Sequence, residues 1–135
     1  MTNLSRPATT KPHLFVVDNE EDTVFTMGLL LKRQGYQVSS YYDGPSALAA
    51  AEELRPDAIL LDIGMSPMDG YEVCRRLRSA AWGHLIAIIA LTGYGRPVDI
   101  QRVYKEGFDG YVLKPVSFAE IMKVVTSCVT NRRAA

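Results

Sequence analysis

Four apolar runs in this chain each end at a polar residue able to do chemistry: Leu14–Val17 at Asp18 and Asn19, Ala58–Leu61 at Asp62, Ile86–Leu91 at Thr92, and Tyr111–Leu113 at Lys114. Carboxylates and a carboxamide are oxygen donors of the kind that hold a hard cation. A hydroxyl and an ammonium stabilise anionic oxygens. Each residue alone has an ordinary explanation, since an Asp at a strand end often caps a turn, a Thr suits a strand, and a Lys before Pro115 is often solvated. Their recurrence at the same place in four successive runs argues for one site.

The elements that must position them follow from patterning. Short continuous apolar runs separated by helical patterns suit the buried strands of a parallel sheet, whose carboxyl ends form one rim where ligands bind. From His13 onward strand and helix patterns alternate five times. The second strand, Gln37–Tyr42, is more polar than the others and is assigned to the sheet edge, with Tyr36, Tyr41 and Tyr42 packed around it. Helical stripes at i, i+3, i+4 and i+7 are carried by Val24, Met27, Gly28 and Leu31, by Ala47, Ala50, Ala51 and Leu54, and by Phe118, Ile121, Met122 and Val125. Gly35 follows the first helix, Asp43-Gly44-Pro45 opens the second, Arg55-Pro56-Asp57 closes it, and Asp69-Gly70 opens the third. Pro97 suits the first turn of a fourth helix, which runs to Glu106 and ends at Gly107. Right-handed crossovers then put helices on both faces of a five-stranded (βα)5 sandwich. Residues 1–12 are expected to be a flexible leader, 13–130 the domain, and 131–135 a tail.

Composition narrows the function. A chain of 135 residues fits one domain, and its 47% apolar and 22% charged residues are those of an ordinary globule. No apolar stretch approaches the roughly 20 residues that span a bilayer, and no signal peptide is recognisable, so the chain is expected in the cytoplasm. Fifteen basic and fifteen acidic residues cancel, removing the broad positive field that drives nucleic-acid binding. Arg75, Arg76 and Arg78 on the third helix, and Arg132 and Arg133 near the C-terminus, are expected to be solvated surface. His13 and His84 are isolated and read as surface residues. The two cysteines, Cys74 and Cys128, fall inside apolar helical patterns and read as packed thiols.

The segments Val16-Val17-Asp18-Asn19-Glu20-Glu21-Asp22, Leu61-Asp62-Ile63-Gly64, Met68-Asp69-Gly70, Ala90-Leu91-Thr92-Gly93 and Lys114-Pro115 resemble the receiver domain of two-component response regulators. Asp-Gly-Pro before the second helix and Gly-Phe-Asp before the fifth strand resemble receivers attached to hybrid sensor kinases. The resemblance implies a flavodoxin-like, doubly wound sheet of strand order 2-1-3-4-5. It implies that Asp62 accepts a phosphoryl group from a phosphohistidine, giving an aspartyl phosphate. Mg²⁺ would be held by Asp18, Asn19, Asp62 and the backbone carbonyl of Gly64, while Thr92 and Lys114 would stabilise the phosphoryl oxygens. Thr92 and Tyr111 occupy the family's switch positions. The implied partner is a sensor histidine kinase or a histidine phosphotransfer protein. The downstream target is unnamed, and contact with neither nucleic acid nor membrane is expected. Such a domain catalyses its own phosphorylation and dephosphorylation and is not an enzyme acting on a separate substrate. With no output domain after the fifth helix, it is expected to act as a single-domain regulator or phosphorelay shuttle, or to be a piece of a hybrid kinase.

Three positions depart from the family pattern. Asn19 stands where a second acidic residue is usual, so the pocket loses a formal charge. The competing reading is therefore a degenerate receiver that works through constitutive protein contacts. In the loop after Asp62, Ser66 stands where Pro is usual and Pro67 follows. Gly93 replaces a small residue such as Ala or Ser, leaving room for a phosphoryl group. An aspartyl phosphatase would place a second Asp where Gly64 stands, and no phosphate-binding Gly-rich loop is present.

Overall fold

The apolar runs become strands β1 (His13–Val17), β2 (Gln37–Tyr41), β3 (Ala58–Asp62), β4 (Ala87–Thr92) and β5 (Gly110–Leu113) in a computed structural model that describes residues 11–134. They alternate with helices α1 (Glu21–Arg33), α2 (Gly44–Leu54), α3 (Gly70–Ser79), α4 (Pro97–Lys105) and α5 (Phe118–Ala134), and a 3₁₀ turn, Gly83–Leu85, precedes β4. All pairings are parallel and the order is β2-β1-β3-β4-β5, the doubly wound arrangement expected. Every residue of β3 and β4 is buried, whereas the edge strand β2 has none that is. Register brings Val17 beside Leu61 and Asp62 beside Leu91, so the carboxyl ends of β1, β3 and β4 lie level.

Side chains that alternate along the strands feed two cores. Leu14, Val16, Leu60, Ile89 and Leu91 pack with α1 and α5 on one face, and Phe15, Val17, Ile59, Leu61 and Ile88 pack with α2 and α3 on the other. The α1 stripe is buried throughout. In α2 the stripe stops a turn early, because Arg55 adopts φ 49° and ends the helix in the left-handed conformation, leaving Leu54 exposed. Asp43 and Asp69 cap α2 and α3 as expected, accepting from Ser46 N at 2.7 Å and from Glu72 N at 2.9 Å.

Several surface expectations are corrected. Tyr36 is buried and Tyr41 half-buried, but Tyr42 is exposed because β2 has ended before it. His13 is half-buried, with Nε2 at 2.7 Å from Ser39 Oγ. Arg75 and Arg76 are solvated, whereas Arg78 and Arg132 are largely covered and converge on Asp109. Arg78 donates to Asp109 Oδ2 at 2.7 Å and to the carbonyls of Gly107, Gly83 and Ile86. Arg132 donates from Nε to Asp109 Oδ1 at 2.9 Å, and α5 runs on through the expected tail to Ala134. Of the expected leader, residues 1–10 lie outside the described residues, while Pro12 is buried and its carbonyl accepts from Gln37 N. Cys74 and Cys128 are buried free thiols, and among the described residues no helix is long and apolar enough to cross a membrane.

Candidate functional site

At the carboxyl rim, Asp18, only 1% exposed, directly follows β1, and β3 ends in Asp62, 6% exposed. Lys114 follows β5, whose end is drawn to β4 by the bond from Lys114 N to the Thr92 carbonyl at 2.8 Å. Its ammonium reaches both acids, with Nζ 3.1 Å from Asp18 Oδ2 and 3.0 Å from Asp62 Oδ1. The loop backbones complete the cradle, because Glu20 N donates to Asp18 Oδ1 at 3.0 Å and Gly64 N to Asp62 Oδ1 at 3.2 Å. Gly70 permits α3 to start against this loop, since a Cβ there would lie 2.5 Å from the Asp62 carbonyl oxygen.

Burial dominates the electrostatics. It raises the Asp18 carboxyl above its ordinary range, the Glu20 N–H opposes this, the Asp62 carboxylate adds to it, and Lys114 pulls back, with the net direction upward. For Lys114 burial acts downward, but the hydrogen bonds it donates to Asp62 and Asp18, with the charges of those two acids, outweigh it and the ammonium holds its proton more firmly than usual. Two buried carboxylates sharing one ammonium keep a residual negative charge.

The structure thus brings Asp18, Asp62 and Lys114 into contact. Thr92 is buried on the same rim, but its Oγ1 is held in its own loop by Tyr94 N at 3.0 Å. Asn19 and Gly64 are exposed beside the two acids. Glu20 accepts from the Thr23 hydroxyl in the first turn of α1. Tyr111 is half-buried in β5, its ring edge-on to Tyr104 of α4 with centroids 6.2 Å apart.

Among the described residues no three His, Cys, Asp or Glu side chains converge as a metal cluster. The donor set still fits a hard divalent ion, because two buried carboxylates with excess charge are supplemented by the Asn19 carboxamide, the Gly64 carbonyl and water. Three features of the surroundings were not legible in sequence: the two backbone N–H donors, the Asp109 cluster, and Arg102 lying over the Tyr71 ring at 4.0 Å. The N–H donors had a faint signal in the strand-end Asp residues, whose side chains commonly accept from the backbone two residues on.

Comparison with known proteins places these observations. Residues 14–126 match the family described as the response regulator receiver domain. An uncharacterised 14.6 kDa protein of Leptolyngbya boryana is 33% identical over 83% of this chain and 86% of its own length. The DNA-binding response regulator MtrA of Mycolicibacterium smegmatis is 33% identical over 84% of this chain, which spans only 49% of that protein. Among solved structures, the chemotaxis response regulator CheY4 of Vibrio cholerae superposes with a TM-score of 0.84 at 27% identity, over 88% of this chain and 99% of that one. The receiver domain of the sensor histidine kinase PA1611 of Pseudomonas aeruginosa, solved with magnesium in its active-site cleft, gives 0.81 at 28% identity over 89% and 98%. With sequence match, strand order and rim in agreement, this chain belongs to the response regulator receiver domains of two-component signalling systems.

Proposed function

We propose that Asp62 is a phosphoacceptor, taking a phosphoryl group from the phosphohistidine of a sensor histidine kinase or a histidine phosphotransfer protein. The observation that carries this reading is the contact of Asp62 with Lys114 beside the buried Asp18. Asp62 Oδ1 is engaged by Lys114 and Gly64 N, so Oδ2 is the oxygen to attack phosphorus. The P–N bond of the phosphohistidine breaks as the new O–P bond forms, and the imidazole leaves with its electron pair. Mg²⁺ bound by Asp18, Asp62, Asn19 and the Gly64 carbonyl would neutralise the repulsion between carboxylate and phosphoryl group. Lys114 supplies the positive charge that follows the phosphoryl oxygens, and Thr92 can exchange the Tyr94 N–H for one of them.

The chain modifies itself and turns over no separate substrate. Its phosphodonor approaches beside α1, where Phe25 and Leu29, one turn apart, are exposed at 70% and 41%. On another stripe of α1, Thr23, Thr26 and Leu30 line a cleft of about 440 Å³ that runs between α1 and α5 to Lys114. The balanced net charge argues against direct contact with nucleic acid, and the cytoplasm is the compartment where such a donor is found. DNA binding belongs to relatives such as MtrA, of which this chain spans about half.

Acetyl phosphate with Mg²⁺, followed by intact mass, tests the reading. One phosphoryl group should be added and Asp62→Asn should abolish it. No adduct on the parent chain would favour the constitutive interaction module suggested by Asn19, and label mapped to Asp18 would reject the assignment.

A further inference from the structure

We propose that Glu20 stands in for the carboxylate missing at Asn19: its side chain leaves Thr23 and joins Asp18 and Asp62 at a bound divalent cation. The inference deepens the metal-assisted part of the phosphoacceptor reading and rests on it.

With Asn19 neutral, the rim is short of negative charge once a divalent ion is present. Asp18 and Asp62 share Lys114 Nζ at 3.1 and 3.0 Å, so the two acids already have one positive charge between them. A divalent cation overshoots the remainder by one, and one further carboxylate restores neutrality. The imbalance matters because both acids are buried, where water compensates charge poorly.

Glu20 is the acid whose backbone already belongs to the rim. Its N–H donates to Asp18 Oδ1 at 3.0 Å, which fixes the root of its side chain beside an oxygen expected to hold the ion. Glu20 also lines the cleft between α1 and α5 that Lys114 closes, so the two side chains border one open space. What keeps the carboxylate away from the rim is local. It accepts from the Thr23 hydroxyl three residues on, and among the described residues no cation pairs with it. Glu20 is exposed, and a solvated hydrogen bond from a neutral hydroxyl gives way to the pull of a doubly charged ion. While Thr23 holds it, three acids do not converge among the described residues. Turning Glu20 inward is the rearrangement that completes the set, and Thr23 competes with the ion for the same carboxylate.

The test is calorimetric titration of the full chain with MgCl₂ at about 0.15 M salt, where distant charges are screened. Glu20→Gln should weaken Mg²⁺ binding by about three- to tenfold. With Asn19→Asp also present the same change should cost less than about twofold, because a carboxylate then stands at the vacant position and the two substitutions are not additive. Asp22→Asn removes a charge from the same cleft but none bonded to the rim, and should alter affinity by less than about twofold. Thr23→Ala, which removes the competing hydroxyl, should tighten binding roughly twofold. No loss in Glu20→Gln, an equal loss with and without Asn19→Asp, or a matching loss in Asp22→Asn would each overturn the replacement. Unchanged or weaker binding in Thr23→Ala would overturn the competition with Thr23. A parent chain that fails to bind Mg²⁺ would overturn the metal-assisted reading and this proposal together, whereas Mg²⁺ binding indifferent to Glu20 would overturn the proposal and leave that reading standing.

Discussion

Replacing Lys114 with Met keeps most of the side-chain stem and removes the ammonium that both rim acids share. Each contact, at 3.0 and 3.1 Å, is a charge-assisted hydrogen bond to a carboxylate that is itself buried. Such bonds contribute about 1.5–3 kcal/mol apiece, giving a gross loss of about 3–6 kcal/mol. Two effects reduce it. Lys114 keeps 31% of its side chain exposed, so solvent already screens part of the attraction, and Asp18, already raised by burial, can relieve the repulsion by taking a proton. The expected net loss without metal is about 2 kcal/mol at neutral pH. A divalent cation replaces the missing charge, so saturating Mg²⁺ should shrink the deficit below about 1 kcal/mol, which by linkage means Mg²⁺ binds the variant roughly five- to tenfold tighter. A carboxyl whose pKa is raised on folding adds stability at low pH and loses it as pH rises through that value, so acidification should also narrow the gap. Urea unfolding with EDTA and with Mg²⁺, together with calorimetric titration, measures every term. An equal deficit in both media, or weaker Mg²⁺ binding, would refute the account of Lys114 as the internal counter-ion.

Asn19→Asp should tighten Mg²⁺ binding by about 1–3 kcal/mol, and an unchanged titration would place the ion away from Asn19. Beryllofluoride should shift backbone amide NMR signals across residues 93–112, where Thr92 and Tyr111 would transmit the change, with smaller shifts over 44–55; confinement to the loops at Asp18 and Asp62 would leave a phosphoryl carrier without a switch. Asp109→Ala should cost about 2–4 kcal/mol in urea unfolding, because it strands the largely covered Arg78 and Arg132 head groups and the Ile88 N–H, and a loss under about 1 kcal/mol would show the cluster to be solvated.

The sheet was readable because a strand covered on both faces must be apolar, and β3 and β4 are apolar up to their rim residues Asp62 and Thr92. The polar character of Gln37–Tyr41 marked the edge for the same reason. Strand ends then located Asp18, Asp62, Thr92 and Lys114 on one rim, since parallel strands align their carboxyl ends. What patterning could not reach was pairing across distance. Arg78 and Asp109 are separated by 31 positions, and nothing local distinguishes Arg78 from its solvated neighbours Arg75 and Arg76. Leu54 and Tyr42 were misread because Leu54 is the last residue of α2, where Arg55 turns the chain away, and Tyr42 lies just past the end of β2. The orientation of the Thr92 hydroxyl toward Tyr94 is likewise a property of loop geometry that a periodic pattern does not encode.

The Arg78–Asp109–Arg132 cluster bears on where this unit can be cut or joined. The family match covers residues 14–126, and among the described residues the apolar stripe of α5 is last buried at Val129. Arg132 nevertheless reaches back across the open end of the sheet to Asp109 and to the carbonyl of His84, closing the side opposite the carboxyl rim. A graft that trims the helix at 126 or 130 would retain every residue of the chemistry and lose the stitch beneath it. A fusion made after Arg132 would instead inherit a helix whose far end is fastened to the turn before β5, so that strain applied to an attached module is delivered to Gly110 and Tyr111 rather than dissipated in a fraying terminus.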